Sequence, residues 1–347
     1  EDLTCREFVD PYNGITDATG LASVIDDNGH GTHVSGTSAQ CTNNGIGTAG
    51  VAPGAAIMPV KVMDKDAMAT TMSLYQGMVW AIEHEADVIN LSLGLDCSAP
   101  WPVCSDQVID FLVDQAHEAG IVVVASSGNG GGSFVASPAN HPLTIGVGAT
   151  TIADEPAPYT AGGDGLDVLA PGGSIYAGIW QETFDENGVW GYYMWNGTSM
   201  SAPHVTGTVA LMRSVNPEAS PDFVRSVLTE TAVDLDEPGW DEISGYGRID
   251  AAAAVQAIRY APDDPCPTTE VCSGIFAIGQ SGLWSLTPRL SSASSTDFYY
   301  GVPGDIAFSG DWNCDGVRTP GLYRQSDGFV YLRNSNTQGI ADTSFYF

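Results

Sequence analysis

The sequence predicts an α/β protein with a doubly wound parallel sheet, followed by a small antiparallel β-repeat segment. Three observations predict it. Through the first 260 residues, short apolar and β-branched runs alternate with segments of helical period, the pattern of parallel strands joined by crossover helices. Residues 121–125 and 143–147 are almost continuously apolar, as strands buried on both faces are. Beyond residue 273 the helical period stops and an internal repeat begins. Gly282-Leu283-Trp284-Ser285-Leu286 matches Gly328-Phe329-Val330-Tyr331-Leu332 at an offset of 46, and Phe298-Tyr299-Tyr300 matches Phe345-Tyr346-Phe347 at an offset of 47. That period fits a propeller-like blade.

The elements follow in order. Residues 55–62 form an apolar run, 71–85 have helical spacing, and 88–93 are a short strand before a loop that holds Cys97, Trp101 and Cys104. Residues 108–119 are helical, with Val108, Phe111, Leu112 and Ala116 on one side. After the strands at 121–125 and 143–147 comes an apolar helix at 204–212, with Pro203 near its first turn, where the missing N–H costs nothing. Residues 221–228 and 251–258 are further helices. Residues 261–273, APDDPCPTTEVCS, read as a linker. The domain plan is therefore 1–260, linker, and a repeat segment at 274–347 that stops soon after its second copy begins.

Forty-two acids face 11 bases, a net charge of −31. Such a surface repels phosphate backbones and excludes a nucleic-acid partner; it suits calcium binding, high salt or plain solubility alike. The only lysines are Lys61 and Lys65. No run of about 18 apolar residues occurs, so no membrane span is expected. Seven cysteines point to an oxidising compartment, with Cys97–Cys104 and Cys266–Cys272 as short pairs, Cys5–Cys41 as a possible third and Cys314 left over. Scattered free thiols are the alternative. No CxxC supports a zinc site.

Of six histidines, His84 and His117 sit in helical runs and His141 precedes a proline. His30 and His33 lie in His30-Gly31-Thr32-His33-Val34-Ser35-Gly36-Thr37, and His204 ends Gly197-Thr198-Ser199-Met200-Ser201-Ala202-Pro203-His204. A metal on His30 and His33 is disfavoured because HExxH is absent and Gly31 suits a backbone turn. Ser199, at the start of a helix, can present its Oγ to a cleft with helix N–H groups facing developing negative charge. A lone serine there would be an N-cap, and the segment lacks the GxSxG elbow of α/β-hydrolases.

These two motifs, together with Ser127-Gly128-Asn129-Gly130-Gly131 after a buried strand, resemble those of subtilisin-type serine peptidases, the subtilase family. Gly50-Val51-Ala52-Pro53, Asn90-Leu91-Ser92-Leu93-Gly94, Leu169-Ala170-Pro171-Gly172 and Gly245-Tyr246-Gly247-Arg248-Ile249-Asp250 match in family order. The resemblance implies a serine endopeptidase with a subtilisin-like sheet, acting on proteins or peptides. It implies His30 as general base, Ser199 as nucleophile and Asn129 as oxyanion donor. Ser92, Leu93 and Gly94 would pair with an extended substrate, and Gly128 and residues 136–138 would line a pocket for a broad, apolar or aromatic P1 side chain. His33 and His204 would be structural. It further implies secretion, a propeptide in the precursor, and a structural calcium held by Asp2 and Asn44.

The sequence departs from the family at the triad aspartate. Val24-Ile25-Asp26 imitates its motif but lies too near His30, in what is the loop entering the histidine helix. Glu1-Asp2-Leu3 resembles the end of the segment that follows the aspartate motif, so the acid is expected upstream of Glu1, in a fragment lacking its first catalytic strand. Asp311-Trp312-Asn313-Cys314-Asp315-Gly316 resembles the acidic turn of VCBS/FG-GAP-like repeats and lacks the glutamate of an EF-hand. The tail aromatics are read as sheet core rather than a binding face. The alternative function is a non-catalytic binding or adhesion module built on a decayed peptidase.

Overall fold

The structure is a computed structural model that describes residues 2–95, 106–132, 134–259 and seven strands of the tail. The chain divides into two compact units, Glu1–Asp263 and Asp264–Phe347. The Cys97–Cys104 loop, both cysteines of 261–273 and the acidic turn at 311–316 lie outside the described residues.

In the first unit, β1 (Tyr12–Asn13) and β2 (Ala18–Thr19) precede α1 (His30–Ala39), and β3 (Val60–Lys61) leads to α2 (Thr71–Glu83). Then come β4 (Val88–Leu91), α3 (Gln107–Glu118), β5 (Val122–Ser126), β6 (Thr144–Thr150) and β7 (Val168–Pro171). A hairpin of β8 (Ile179–Phe184) and β9 (Trp190–Trp195) is followed by α4 (Thr198–Val215), α5 (Pro221–Glu230) and α6 (Ala251–Ile258). Strands β4, β5, β6 and β7 form one parallel sheet in sequence order, with Val88 opposite Val122, Val123 opposite Thr144 and Val147 opposite Val168. A second small sheet has the order β2-β1-β3, with β1 and β3 parallel. Among the described residues, strands β3 and β4 each pair along one edge.

The uninterrupted apolar runs have a clear cause. Along β5, Val122 and Val124 pack toward Val205, Val209, Met212 and Leu228 of α4 and α5, while Val123 and Ala125 pack toward Leu74, Met78, Leu112 and Val113 of α2 and α3. Helices cover both faces, so both sets of alternate side chains are buried. Each such valine or leucine contributes about 1.5–3 kcal/mol by leaving water.

Three local expectations change. The run at 55–62 contributes only Val60–Lys61 as strand. In α3 the buried positions are Ile109, Leu112, Val113 and Ala116, spaced i, i+3, i+4, i+7, whereas Val108 and Phe111 face solvent; the predicted face was rotated by one position. The helix expected at 204–212 begins at Thr198, which places Pro203 inside α4 rather than in its first turn.

In the second unit, β10 (Ile275–Ile278), β11 (Leu283–Thr287) and β12 (Thr296–Tyr299) form an antiparallel sheet. Strands β13 (Ile306–Gly310), β14 (Thr319–Arg324), β15 (Phe329–Leu332) and β16 (Thr343–Tyr346) form another. The repeated sequences occupy β11 and β15, then β12 and β16.

Candidate active site

His30 is the first residue of α1. The turn before it is made by Gly29, at φ 94°, and not by Gly31, which lies within the helix. Asp26 gathers the free amides of that turn. Its Oδ1 accepts from the Asn28 and Gly29 N–H groups at 2.9 and 2.8 Å, and its Oδ2 from the Thr32 N–H and hydroxyl at 2.9 and 2.7 Å. Burial pushes the Asp26 carboxyl up, but the bonds from Gly29, Thr32 and Asn28 outweigh it and hold it below its ordinary value. Asp26 is thus committed to the helix start, where a carboxylate is favoured. It acts on His30 only as a nearby charge. Burial lowers the His30 pKa and the Asp26 charge partly offsets this, leaving the neutral ring a base needs at neutral pH. The ring accepts and donates no hydrogen bond among the described residues.

Trp195, the last residue of β9, covers both histidines of the helix. Its ring is stacked on His33 at 4.9 Å and 2° and lies 6.3 Å and 25° from His30. His33 Nε2–H donates to the Ile179 carbonyl at 3.1 Å, and His204 Nδ1–H to the Met200 carbonyl at 2.9 Å. Burial lowers both rings to a pKa of about 4, so they sit neutral in the packing.

Ser199 is the second residue of α4. Its N–H is one of the first helix amides, which have no intrahelical partner, and no backbone acceptor reaches it among the described residues. Asn129 stands beside it. The Asn129 Oδ1 accepts from the Thr198 N–H at 2.9 Å and the Thr198 hydroxyl at 3.0 Å, and that hydroxyl accepts from the Gly128 N–H at 3.2 Å. An amide N–H can only donate, so the end of Asn129 facing Thr198 is oxygen and the free end is NH₂. Close approach of Gly197, at φ 147°, makes room for this; a Cβ there would come within 3.4 Å of Asn129 Nδ2.

Ser92 resolves the problem set by Pro203. In a helix the N–H of residue 203 would bond the carbonyl of residue 199, and proline has none. The Ser92 hydroxyl donates to the Ser199 carbonyl instead, at 2.8 Å. Asn90 Nδ2 donates to Ser92 Oγ at 2.9 Å and Thr206 to Asn90 Oδ1 at 2.8 Å, which ties the end of β4 to α4. The Ser199 hydroxyl itself makes one long contact, 3.4 Å to the Ser92 carbonyl. Leu93 and Gly94 continue from β4 as exposed or half-buried chain, and Leu95 N–H bonds the Ser137 carbonyl at 2.9 Å. A Cβ on Gly94 would lie 3.2 Å from Ala136 Cβ and one on Gly128 3.6 Å from it, so Ala136 lies beside both glycines.

Asp2 and Asn44 also meet. Asp2 is buried; its Oδ1 accepts from Asn44 Nδ2 at 2.5 Å, and its Oδ2 from Tyr192 at 3.0 Å and from Gln40. Burial pushes its carboxyl up and the bonds from Asn44, Gln40 and Tyr192 hold it below its ordinary value. The Glu182 carboxylate accepts the Asp2 N–H at 2.7 Å. Gln40 Oε1 is buried without a donor. The Gln40 and Asn44 amides both offer their NH₂ ends to Asp2, and Asn44 Oδ1 accepts the Ile46 N–H at 3.2 Å, so a hard cation such as calcium would need the Asn44 amide turned to bring its oxygen to the Asp2 carboxylate. Among the described residues no three His, Cys, Asp or Glu side chains cluster as a metal site, but an oxygen set of this kind does not require such a cluster. A Cys5–Cys41 disulfide, Cα atoms 6.1 Å apart, closes the same corner.

Sequence reasoning missed Trp195, Thr183, Glu182 and Tyr192. Trp195 adjoins the Gly197–Ser199 motif and could have been weighed with it; the others lie in a hairpin that carries no motif.

A parallel α/β sheet with a serine at one helix start, an amide beside it and a histidine at another helix start has the parts of a serine hydrolase. Comparison with known proteins narrows this. Residues 3–247 match the subtilase family. The chain is similar to subtilisin BL of Lederbergia lenta (38% identical over 243 residues, 70% of this chain and 83% of that protein). It is also similar to a subtilisin of Bacillus pumilus (41% over 235 residues, 67% and 78%). A protease structure from Pseudoalteromonas arctica PAMC 21717 superposes with a TM-score of 0.59 at 35% identity, over 66% of this chain and 70% of that one. The chain belongs to the subtilase family, and it is a serine endopeptidase of subtilisin-like fold.

Proposed function

We propose that this chain cleaves protein and peptide substrates with Ser199 as nucleophile, His30 as general base and Asn129 as oxyanion donor. The arrangement that carries the reading is the Asn129 amide, held by Thr198 with its NH₂ end free, one residue from the unpaired Ser199 N–H. Ser199 Oγ attacks the scissile carbonyl carbon while His30 takes its proton. The tetrahedral oxyanion is met by Asn129 Nδ2 and the Ser199 amide. His30 then protonates the leaving amine, and water releases the acyl group by the reverse exchange. Extended substrate pairs with residues 92–94, and its P1 side chain enters beside Gly94, Gly128 and Ala136.

The acid that orients His30 comes, in this reading, from a strand N-terminal to residue 1 that adds between β3 and β4. The edges that those strands leave unpaired among the described residues support it, as does the commitment of Asp26 to the helix start. Asp2 and Asn44 hold a structural calcium; chelation is expected to lower the melting temperature of the wild-type protein and not that of Asp2→Asn. The chain is secreted, is made with a propeptide, and carries its peptidase domain on residues 1–260 and a repeat segment on 274–347, joined by 261–273. Among the described residues no helix is long and apolar enough to cross a membrane.

The test is casein hydrolysis and fluorophosphonate labelling by protein expressed from the parent gene. Activity and labelling that vanish in Ser199→Ala with the melting temperature preserved support the reading. A parent gene without an upstream Asp-Ser/Thr-Gly strand, and a wild type that neither cleaves nor labels, favour the binding module instead.

A further inference from the structure

The β8–β9 hairpin holds the first turn of α1 at three points. Thr183 is fully buried and its hydroxyl donates to the Gly29 carbonyl at 2.7 Å. Ile179 O accepts from His33. Trp195, which pairs with Ile179 across the hairpin, stacks on His33 and reaches over His30. The Thr183 contact bears most directly on the site. The Gly29 carbonyl is one end of the peptide group whose other end is the His30 N–H. That carbonyl also accepts the His33 N–H at 3.1 Å, and the His30 N–H donates to Asn28 Oδ1 at 3.3 Å. The peptide that carries His30 is therefore fixed from the helix, from the preceding loop and from the hairpin. A Cβ on Gly29 would fall 2.7 Å from Thr183 Oγ1, so the two segments are in close contact at this point. Among the described residues the His30 ring makes no hydrogen bond, so within this chain it is placed through its backbone and the Trp195 face; the proposed orienting acid would act on the ring and not on this peptide.

We infer that Thr183 is a positioning residue for His30: its hydroxyl fixes the Gly29–His30 peptide and through it the approach of the imidazole to Ser199. This rests on the reading of His30 as the general base. A threonine that served only to fill space would be replaced by valine, of nearly equal shape, at little cost to catalysis; a positioning hydroxyl would be replaced only by serine.

The experiment compares Thr183→Val and Thr183→Ser with wild type in the full chain, measuring kcat and KM on a peptide substrate and the Cε1–H resonance of His30 by NMR. A misplacement of order 1 Å can cost about 10²-fold, so Thr183→Val is expected to lose about tenfold or more in kcat with KM unchanged, and to move the His30 resonance. Thr183→Ser is expected to restore both. Wild-type kcat and an unmoved His30 resonance in Thr183→Val would overturn the inference, as would a Thr183→Ser variant as impaired as Thr183→Val. Should Thr183→Val not fold, Thr183→Ala is read against Thr183→Ser in the same way. A wild type without peptidase activity defeats the proposed function and leaves the His30 resonance to decide the positioning claim.

Discussion

The acyl-binding half of the site and its imidazole half are held by different means. Around Ser199, hydrogen bonds fix nearly every group: Gly128 to Thr198, Thr198 to Asn129, Asn90 to Ser92, Ser92 to the Ser199 carbonyl, with Thr206 closing the chain. Around His30, the contacts within this chain are burial, the Trp195 face and the bonds of its own backbone, while the acid proposed to orient the ring comes from outside it. Directional bonds suit groups that must hold one orientation while charge develops. The acyl half should therefore respond to loss of single polar atoms, and the imidazole half to changes of packing, backbone and protonation.

The largest effect is expected from Asn129→Ala. It removes the oxyanion donor, and loss of one such donor lowers kcat by roughly 10²–10³-fold with KM little changed, a range that comes from a subtilisin and is carried over from a relative. Steady-state kinetics on one peptide substrate measures it. A loss of less than tenfold would mean that the Asn129 amide does not face the reacting carbonyl and that the acyl half is not organised as described.

How much of this was legible follows the same division. Ser199, Asn129, Gly128 and Ser92 lie in short motifs whose glycines and neighbours announce them, and the strands that bring them together are continuous apolar runs. His30 was legible for the same reason. The contacts that hold it were not, because they join residues far apart in sequence: Thr183 lies 154 residues from Gly29, and His33 146 from Ile179. No periodicity or turn chemistry in residues 179–195 says which helix the hairpin will grip. The outward turn of Val108 and Phe111 was missed because the 108–119 stretch carries apolar residues on more than one side. Which side is buried depends on the neighbouring α2 and on β5. Pro203 was misplaced because a proline ordinarily marks a first turn, and only the folded chain reveals a serine from another element serving the carbonyl it leaves open.

Next in size is the acid response of the buried histidines, one on each side of the site. His33 and His204 have folded pKa values of about 4, below the ordinary value of about 6.5. Above pH 6.5 both rings are neutral folded and unfolded, and they add no pH dependence. As pH falls below 6.5 the unfolded chain binds protons that the folded one refuses, so stability declines until about pH 4, by on the order of 3 kcal/mol per ring. Melting temperatures taken from pH 8 to pH 4 should be flat and then fall from about pH 6.5. His30, lowered by burial, shares that onset; it is separate from the carboxylates of Asp2, Asp26 and Asp241, whose lowered values make them titrate below the ordinary range, while Asp110 and Asp167, raised by burial, act in the opposite sense. A curve that stays flat to pH 4 would show that the two rings are solvated.

Ser92→Ala tests the acyl half at its scaffold. It leaves the half-buried Ser199 carbonyl with neither the Pro203 N–H nor a side-chain donor, a loss of at most about 1–3 kcal/mol. The midpoint of urea unfolding should drop with the slope unchanged. An unchanged midpoint would mean that another group serves that carbonyl and that Ser92 is present for the substrate alone.

The smallest effect separates the two glycines that flank His30. Gly31 lies within α1, and a Cβ there would meet only Asp26 Oδ2, at 3.7 Å, an ordinary contact. Glycine in a helix interior is less stable than alanine by roughly 0.5–1 kcal/mol, so Gly31→Ala should raise the melting temperature slightly. Gly29 stands at φ 94° with Thr183 Oγ1 in the path of a Cβ, so Gly29→Ala should lower it. If both substitutions raised stability, Gly29 would not hold the left-handed turn that starts α1, and the grip of the hairpin on His30 would have to be redrawn. If both lowered it, the crowding around His30 would extend to the Asp26 side of the helix, and packing there would be as exacting as the hydrogen bonds around Ser199.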